Sequence, residues 1–310
     1  MLRTTTATIA LLAISAPAFA QELTYGQFGL DLTDFSAGGG DDRQLILITG
    51  AGEFTIDQFV LGAEVNNRAY DFGGGAEFDV LTYSLYGAYA VMPEVLVGLG
   101  LTSVDADGTE LSGYEFFAQY VTPAFGVAVN HQVPEEDFSD SSLTTVVGEA
   151  EVSTGITLGG IYETYEGEDI AFYALTAEYA EGPIFARAFY QALTETDTTI
   201  LGLRGSYAIN DMFSANAGLL RVEDFILAEL TGVSVGAEYA VNDAFSVRGE
   251  IGQLDGTGNT ADFFKLSVTY EVGAGARLDR TMTEAIRDDR NFGLSAVAPT
   301  FGIGAGTSFY

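Results

Sequence analysis

Between its turns the chain alternates apolar and polar residues with a period of two, the pattern of strands with two different faces. Three segments show this pattern clearly: FYALTAEYA (172–180), GVSVGAEYA (232–240) and FFKLSVTYE (263–271). One face of each carries tyrosine and aliphatic side chains, and the other carries small, polar and charged ones. After residue 20 no segment approaches the ~20 consecutive apolar residues of a membrane helix. The pattern predicts an all-β protein.

Corners made of a tyrosine, a turn pair and an apolar residue recur about every 30 residues. Asn-Asp, Gly-Pro and Met-Pro pairs occupy the turn positions, and these residues favour tight turns. The spacing fits one strand, one loop and one returning strand. We place eight corners, at 55–58, 91–94, 121–124, near 149, 181–184, 209–212, 241–244 and 272–275. This count predicts 18 strands, or 16 if the poorly marked corner near 149 is absent.

The corner tyrosines share the apolar face, one step before each turn. Tyrosine rings on an apolar surface are typical of a membrane–water interface. The opposite ends of the hairpins are acidic and glycine-rich, with no aromatic pattern. We therefore predict a transmembrane antiparallel up-and-down β-barrel of 16–18 strands, with short periplasmic turns and longer acidic external loops. A soluble β-sandwich or solenoid is the alternative. The predicted periplasmic aromatic girdle is Tyr89, Tyr120, Tyr179, Tyr207, Tyr239 and Tyr270.

Composition narrows the classes of function. The chain has 44 acidic and 12 basic residues, a formal net charge of −32, which excludes nucleic-acid binding because phosphates require Lys and Arg. The absence of cysteine excludes disulfides and thiolate metal sites. Arg3, a short apolar run and the sequence Ala18-Phe19-Ala20 predict a cleaved signal peptide over residues 1–20. Residues 21–310 are then one exported barrel domain.

These features together resemble Gram-negative outer-membrane porins, and are similar to the alphaproteobacterial general-diffusion porins. The resemblance rests on the signal peptide, the repeated corners, the acidic loops and the final segment FGIGAGTSFY (301–310). It implies an outer-membrane channel, open to passive diffusion of small hydrophilic solutes and ions and not an enzyme. It also implies contact with lipids and lipopolysaccharide, a homotrimer, and barrel-assembly machinery that recognises the terminal aromatic residues Phe309 and Tyr310.

Two features depart from the porin pattern. The apolar face of the final segment includes Phe309 and leaves Tyr310 out of phase. The third external loop, VDADGTELSG (104–113), is too short to fold into the lumen and form the constriction expected of the family. Segment 276–299 is another candidate for that role. Its arginines 277, 280, 287 and 290 belong either to a solvated final loop or to an in-folded restriction element, and both interpretations stay open.

Charged residues inside strands are predicted to face the lumen, because a charge that faces lipid costs ~2–4 kcal/mol near the midplane. The basic ones lie on later strands, which would form one wall and create a transverse field. The acidic excess favours cations at the pore mouth. The predicted pore-lining residues are Glu115, Glu178, Arg187, Arg204, Glu238, Arg248, Glu250, Lys265 and Glu271.

Other chemistry has weaker signals. Asp105, Asp107 and Glu110 offer oxygen ligands for a structural Ca²⁺, although the segment lacks the spacing of an EF-hand; no other cofactor is expected. His131, the one histidine, is the natural general base and precedes Asp137, Asp140, Ser141 and Ser142. No nucleophile motif frames these residues, and the predicted topology places them in an external loop, so we expect His131 to be an ordinary rim residue. A structural, adhesive or plugged barrel is the remaining alternative to a pore.

Overall fold

A computed structural model describes residues 22–37, 43–71, 77–106, 108–135, 142–166, 171–194, 198–223, 229–256 and 259–273. These residues form sixteen strands: β1 Glu22–Ala37, β2 Arg43–Ile56, β3 Phe59–Asp71, β4 Glu77–Met92, β5 Val95–Ala106, β6 Thr109–Val121, β7 Phe125–Pro134, β8 Leu143–Ser153, β9 Ile156–Tyr165, β10 Ala171–Glu181, β11 Ile184–Leu193, β12 Thr198–Ala208, β13 Phe213–Glu223, β14 Leu230–Asn242, β15 Phe245–Gly256 and β16 Asn259–Gly273. Within these ranges no helix has the length and apolar character needed to cross a bilayer.

The sheet is a closed antiparallel barrel in which each strand pairs with its neighbours in the chain. Strand β1 pairs with β16, from Tyr25 opposite Gly273 to Ala37 opposite Ala261, and this pairing closes the ring. The predicted all-β antiparallel barrel is therefore confirmed, and the count of 18 strands is wrong. Since β16 pairs with β15 on one edge and with β1 on the other, no edge remains for two further strands.

The error in the count arises at the last predicted corner, 272–275. Both edges of β16 already pair, with β15 and with β1, so this corner adds no strand to the described ring. The predicted closing strand with Phe309 and Tyr310, the segment 276–299 and the signal peptide over 1–20 all lie outside the described residues.

The other seven corners are short connections. Each joins an even-numbered strand to the strand that follows it, from β2–β3 to β14–β15. Their turn residues act as the sequence predicted. The Oδ1 atom of Asn210 accepts the backbone N–H groups of Met212 (2.9 Å) and Phe213 (3.0 Å). Asn242 accepts the N–H of Ala244 in the same way at 2.9 Å. An asparagine that mimics a backbone turn in this way explains why the Asn-Asp corner recurs.

The corner expected near 149 exists, but it lies later in the chain. Residues 146–152 belong to β8, and the turn falls between Ser153 and Ile156. Gly155 has a φ of 71° there, a left-handed conformation that glycine adopts without steric cost. We call this edge of the barrel the turn rim and the opposite edge the loop rim. Connections at the loop rim range from two residues at 107–108 to eight at 135–142.

The outer face of the barrel is apolar. Large apolar side chains stand exposed on alternate strand positions, among them Leu99 at 61% and Leu175 at 59%. All six tyrosines of the predicted girdle lie on this face near the turn rim, and Tyr89, Tyr120 and Tyr239 pack against Phe59, Phe125 and Phe213.

A second aromatic girdle, which the sequence analysis missed, lies toward the loop rim. Tyr83, Tyr114 and Tyr173 each precede a girdle tyrosine by six residues on the same strand, about 20 Å away along the strand. The hydroxyl of Tyr83 donates to Glu110 at 3.0 Å and that of Tyr114 donates to Glu135 at 3.1 Å. The outer apolar zone is therefore bordered by tyrosine on both sides.

Candidate functional site

All nine predicted pore-lining residues lie on the inner face of the barrel. In β6, Glu115 stands between the exposed outer side chains Tyr114 and Phe116, and in β15 Glu250 precedes the exposed Ile251. The same alternation places the rest inward: Glu178 in β10, Arg187 in β11, Arg204 in β12, Glu238 in β14, Arg248 in β15, and Lys265 and Glu271 in β16.

Two of the arginines form ion pairs within hairpins. Arg187 lies opposite Glu178, and its Nη2 and Nε atoms donate to the same carboxylate oxygen at 2.6 and 3.1 Å. Arg248 lies opposite Glu238 and repeats this geometry at 2.6 and 2.9 Å. All four side chains are partly buried. The two residues of each pair flank a turn, so the register of their hairpin brings them together.

A third ion pair crosses the closure of the barrel. Lys265 Nζ lies 3.0 Å from a carboxylate oxygen of Asp31, on β16 and β1. Glu250 lies opposite Lys265 on β15 and is buried. Charged groups therefore lie along the inner wall from β10 through β16 to β1, on every strand except β13.

A recess of about 360 Å³ opens in this wall between the two hairpin ion pairs. Three guanidinium groups, one carboxylate, an amide, two hydroxyls and one ring line it: Arg187, Arg204, Arg248, Glu238, Asn216, Ser206, Ser214 and Phe185. Four of the predicted pore-lining residues are thus brought together in one place. The sequence analysis missed the polar partners, although the alternation in β12 and β13 places them on the inner face.

The opposite wall carries acidic side chains that are buried. Glu53 is 0% exposed and accepts a hydrogen bond from the Tyr86 hydroxyl at 3.2 Å. Glu115 accepts one from Asn130 Nδ2 at 3.0 Å. A Cβ atom at Gly100 would stand 2.7 Å from Cγ of Glu115, so this glycine leaves the space in which the carboxylate lies.

Charge is divided between the two walls. Residues 69–186 contain no lysine or arginine, and this stretch spans strands β4 to β10. The inner-face basic residues of the described strands therefore lie on the remaining strands: Arg43, Arg68, Arg187, Arg204, Arg248 and Lys265.

Glu53 and Glu163 were missed by the sequence analysis, because their strands are too rich in glycine for a clear alternation.

The residues considered for catalysis do not form a catalytic site within the described part of the chain. His131 lies in β7, and its side chain points to the outer face with Nδ1 3.0 Å from Thr144 Oγ1. The expectation that it lies in an external loop is wrong, since it belongs to β7, three residues before that strand ends at Pro134. Ser142 donates to Glu166 at 2.7 Å. Asp137, Asp140 and Ser141 lie outside the described residues.

The candidate calcium ligands have partners from the protein. Asp105 accepts the backbone N–H of Gly108 at 2.9 Å. Glu110 accepts the hydroxyls of Tyr83 and Ser103 at 3.0 and 3.1 Å. Asp107 lies outside the described residues, and among those that are described no three His, Asp or Glu side chains gather as a metal site. The calcium site stays a prediction.

Comparisons with known proteins agree on the fold. No protein-family model and no curated protein matches the chain. An engineered protein studied for asymmetric conductivity matches with a TM-score of 0.55 and 13% identity, over 81% of this chain and 100% of that one. A triple mutant of the Rhodopseudomonas blastica porin matches with a TM-score of 0.53 and 14% identity, again over 81% of this chain and 100% of that one. A bacterial polysaccharide outer membrane secretin matches with a TM-score of 0.50 and 8% identity, over 80% of this chain and 98% of that one.

At these identities the likeness concerns the fold alone. The shared fold is nevertheless the one that the alternating strands, the corners and the tyrosine girdle predict from the sequence. The chain is therefore a closed β-barrel with a porin-like fold, similar to the blastica porin over 81% of its residues.

Proposed function

We propose that this barrel is an outer-membrane porin, a water-filled channel for passive diffusion of small hydrophilic solutes and ions that favours cations. One observation carries the proposal: charged side chains line the inner face of a sixteen-strand barrel whose outer face is apolar. Barrels of 16–18 strands enclose an aqueous channel, whereas barrels of about eight strands fill their interior with side chains. Charges on the inner face are stable only if water or other charges solvate them.

The preference for cations follows from the inner-face charges. Acidic residues outnumber basic ones there, and the strands from β4 to β9 have no basic residue of their own that could neutralise them. A pore lined by an excess of one charge raises the local concentration of the opposite ion. The inner-face acidic residues are Asp31, Glu53, Glu64, Glu115, Glu149, Glu151, Glu163, Glu178, Glu238, Glu250 and Glu271.

The outer surface supports the partners that the porin resemblance implies. Two tyrosine girdles around an apolar zone suit the two interfaces of a lipid bilayer. A homotrimer is part of the proposal. Its support is a patch of small outer-face residues on β11 to β13, where Ala186, Gly205 and Ala217 lie side by side in register and Ala188 and Ala215 flank them. Lipopolysaccharide and the barrel-assembly machinery remain proposed partners on the resemblance alone.

A plugged barrel is the second candidate, and one cluster favours it. Phe35, Leu45, Phe189, Leu220, Val222, Leu230 and Leu254 form an apolar cluster, and each side chain is at most 5% exposed. All seven point inward, toward the loop rim. An apolar cluster on the inner face lowers the water content of the lumen near the loop rim. It favours a barrel in which other parts of the chain fill that end of the lumen.

Planar-bilayer recording of the refolded, heat-modifiable protein separates the two candidates. We expect ohmic conductance and a reversal potential that favours cations under a KCl gradient, with the preference weakened at high salt by screening. Replacing Glu115 by Gln removes an inner-face charge and should lower the preference. Replacing Glu110, on the outer face, by Gln is the matched control and should leave it unchanged. Folded barrels without conductance would exclude the porin and support the plugged barrel.

A further inference from the structure

The apolar cluster near the loop rim is covered to a degree that an open lumen does not explain. Its seven side chains, with the partly buried Tyr70, Ile200 and Phe263 against them, come from nine neighbouring strands of the closed ring. A single layer of side chains on the wall of a water-filled barrel keeps one face toward the water. Near the turn rim, the inner-face side chains of Glu178 and Arg248 are 26% and 32% exposed. The seven apolar ones are each at most 5% exposed, as expected where another apolar surface packs on them.

The chain has enough length after β16 to supply that surface. Because β16 pairs with β15 and with β1, residues 274–310 have no place in the described ring. We call these residues the trailing segment. Gly273 has a φ of 101°, and a Cβ atom there would overlap the carbonyl oxygen of Thr24, so the chain leaves the strand conformation at the turn rim, against β1. The trailing segment has more than twice the 15 residues of β16, so it can reach the loop rim from there.

The composition of the trailing segment differs from that of the chain as a whole. The whole chain has a formal charge of −32, whereas the trailing segment has four arginines, four acidic residues and no net charge. All of its charges lie in residues 277–290. Residues 291–310 are uncharged, and their large apolar side chains include Phe292, Leu294, Val297, Phe301 and Ile303. An apolar stretch of this kind gains free energy when it packs on an apolar wall.

The two parts of the trailing segment match two parts of the inner wall. Strands β4 to β9 contain no basic residue, and their inner face carries the exposed Glu149 and Glu151 close to the turn rim. The four arginines come first after Gly273, at the rim where these carboxylates lie, and opposite charges attract. The uncharged residues come later, where the chain can reach the apolar cluster at the other rim.

We propose that the trailing segment enters the lumen from the turn rim, packs its uncharged residues on the apolar cluster and so restricts the channel. Its arginines lie toward the acidic wall of β4 to β9. The third external loop cannot take this role, because the connection between β5 and β6 is only residues 107–108. The inference rests on the proposed channel function and adds to it the element that narrows the lumen.

Cross-linking in the full chain tests where the trailing segment lies. The chain has no cysteine, so only engineered thiols react. Phe292→Cys, Val297→Cys or Ile303→Cys is combined with Ile200→Cys beside the apolar cluster, and a short bis-maleimide is added to the refolded barrel. Leu201→Cys, the next residue of β12 and 55% exposed on the outer face, is the matched control. We expect a cross-link within one chain, read by mass spectrometry, with Ile200→Cys and none with Leu201→Cys.

Single-channel conductance of a chain that ends at Gly273 is the second test. The sixteen strands, about 4.8 Å apart and tilted about 40°, form a ring about 16 Å in radius, of which side chains take about 5 Å. One chain about 10 Å wide fills about a fifth of the remaining cross-section. Removing it should therefore raise the conductance by about a quarter or more. An unchanged conductance of the folded, heat-modifiable barrel would place residues 274–310 outside the lumen and overturn the proposal.

The outcomes separate this inference from the channel itself. If the full chain conducts and cross-links equally with Ile200→Cys and Leu201→Cys, or with neither, the inference is refuted and the channel stands. If the full chain does not conduct but the shortened chain does, and Ile200→Cys alone cross-links, the inference is supported and the open channel is refuted. If the shortened chain does not fold, the cross-linking of the full chain decides.

Discussion

Replacing Gly202 by alanine should destabilise the barrel, because the inner wall is packed against this glycine. The ring of Phe189 lies flat over Gly202, so that a Cβ atom would overlap two ring carbons and stand 2.8 Å from a third. Phe189 is 2% exposed and belongs to the apolar cluster that includes Leu220. The ring must therefore leave its position or push the cluster apart.

The magnitude follows from the two ways in which the clash can be relieved. Overpacking of a buried cluster costs about 1–3 kcal/mol. Displacing the ring into the lumen loses much of the ~1.5–3 kcal/mol gained by burying a large apolar side chain. Either way we expect Gly202→Ala to lower the free energy of unfolding by about 2 kcal/mol. A displaced ring would also narrow the lumen and reduce the conductance.

Urea unfolding in lipid vesicles measures this change. Circular dichroism and heat-modifiability are suitable probes, since the chain has no tryptophan. Gly249→Ala is the matched control: Gly249 is also in a strand, but nothing lies within 4 Å of a Cβ atom there, so its effect should stay within about 0.5 kcal/mol. In a Phe189→Ala background the Gly202→Ala change should cost almost nothing, a coupling of about 2 kcal/mol. Equal stability of Gly202→Ala and Gly249→Ala would refute the packing argument.

Three further changes test other parts of the structure. Leu99→Arg places a charge on the outer face and should cost about 2–4 kcal/mol in a bilayer; a similar loss for Leu99→Ala would show that lipid is not its environment. A double-mutant cycle of Glu178→Gln and Arg187→Gln, read from urea midpoints, should give a coupling no larger than about 1 kcal/mol, because the pair is partly exposed to water. Ala217→Trp should weaken the proposed trimer in analytical ultracentrifugation, whereas Leu99→Trp, on the outer face of β5 and away from the patch, should not.

The second girdle and the buried carboxylates show where the sequence signal was sufficient and where it was not. Tyr83, Tyr114 and Tyr173 could have been found, because each shares the face of a predicted girdle tyrosine and lies six residues before it. Glu53 is harder to place, since its neighbours Gly50 and Gly52 carry no side chain and blur the alternation.

Local pairing could also have been predicted in part. Glu178 and Arg187 flank the turn at Gly182, and Glu238 and Arg248 flank the turn after Asn242. In a hairpin the turn fixes the register, so the position of the corner brings these partners together. The sequence analysis named all four residues as pore-lining without pairing them.

The amino-acid sequence by itself determined the faces and the corners, because side chains on a strand alternate with a period of two and turns require particular residues. Only the tertiary structure decided how many strands close the ring. Closure joins β1 to β16, and it forms the ion pair between Lys265 and Asp31 from opposite ends of the described chain. The tilt and stagger of all the strands together set that pairing. No local pattern encodes it, and this is why the predicted count of 18 strands failed.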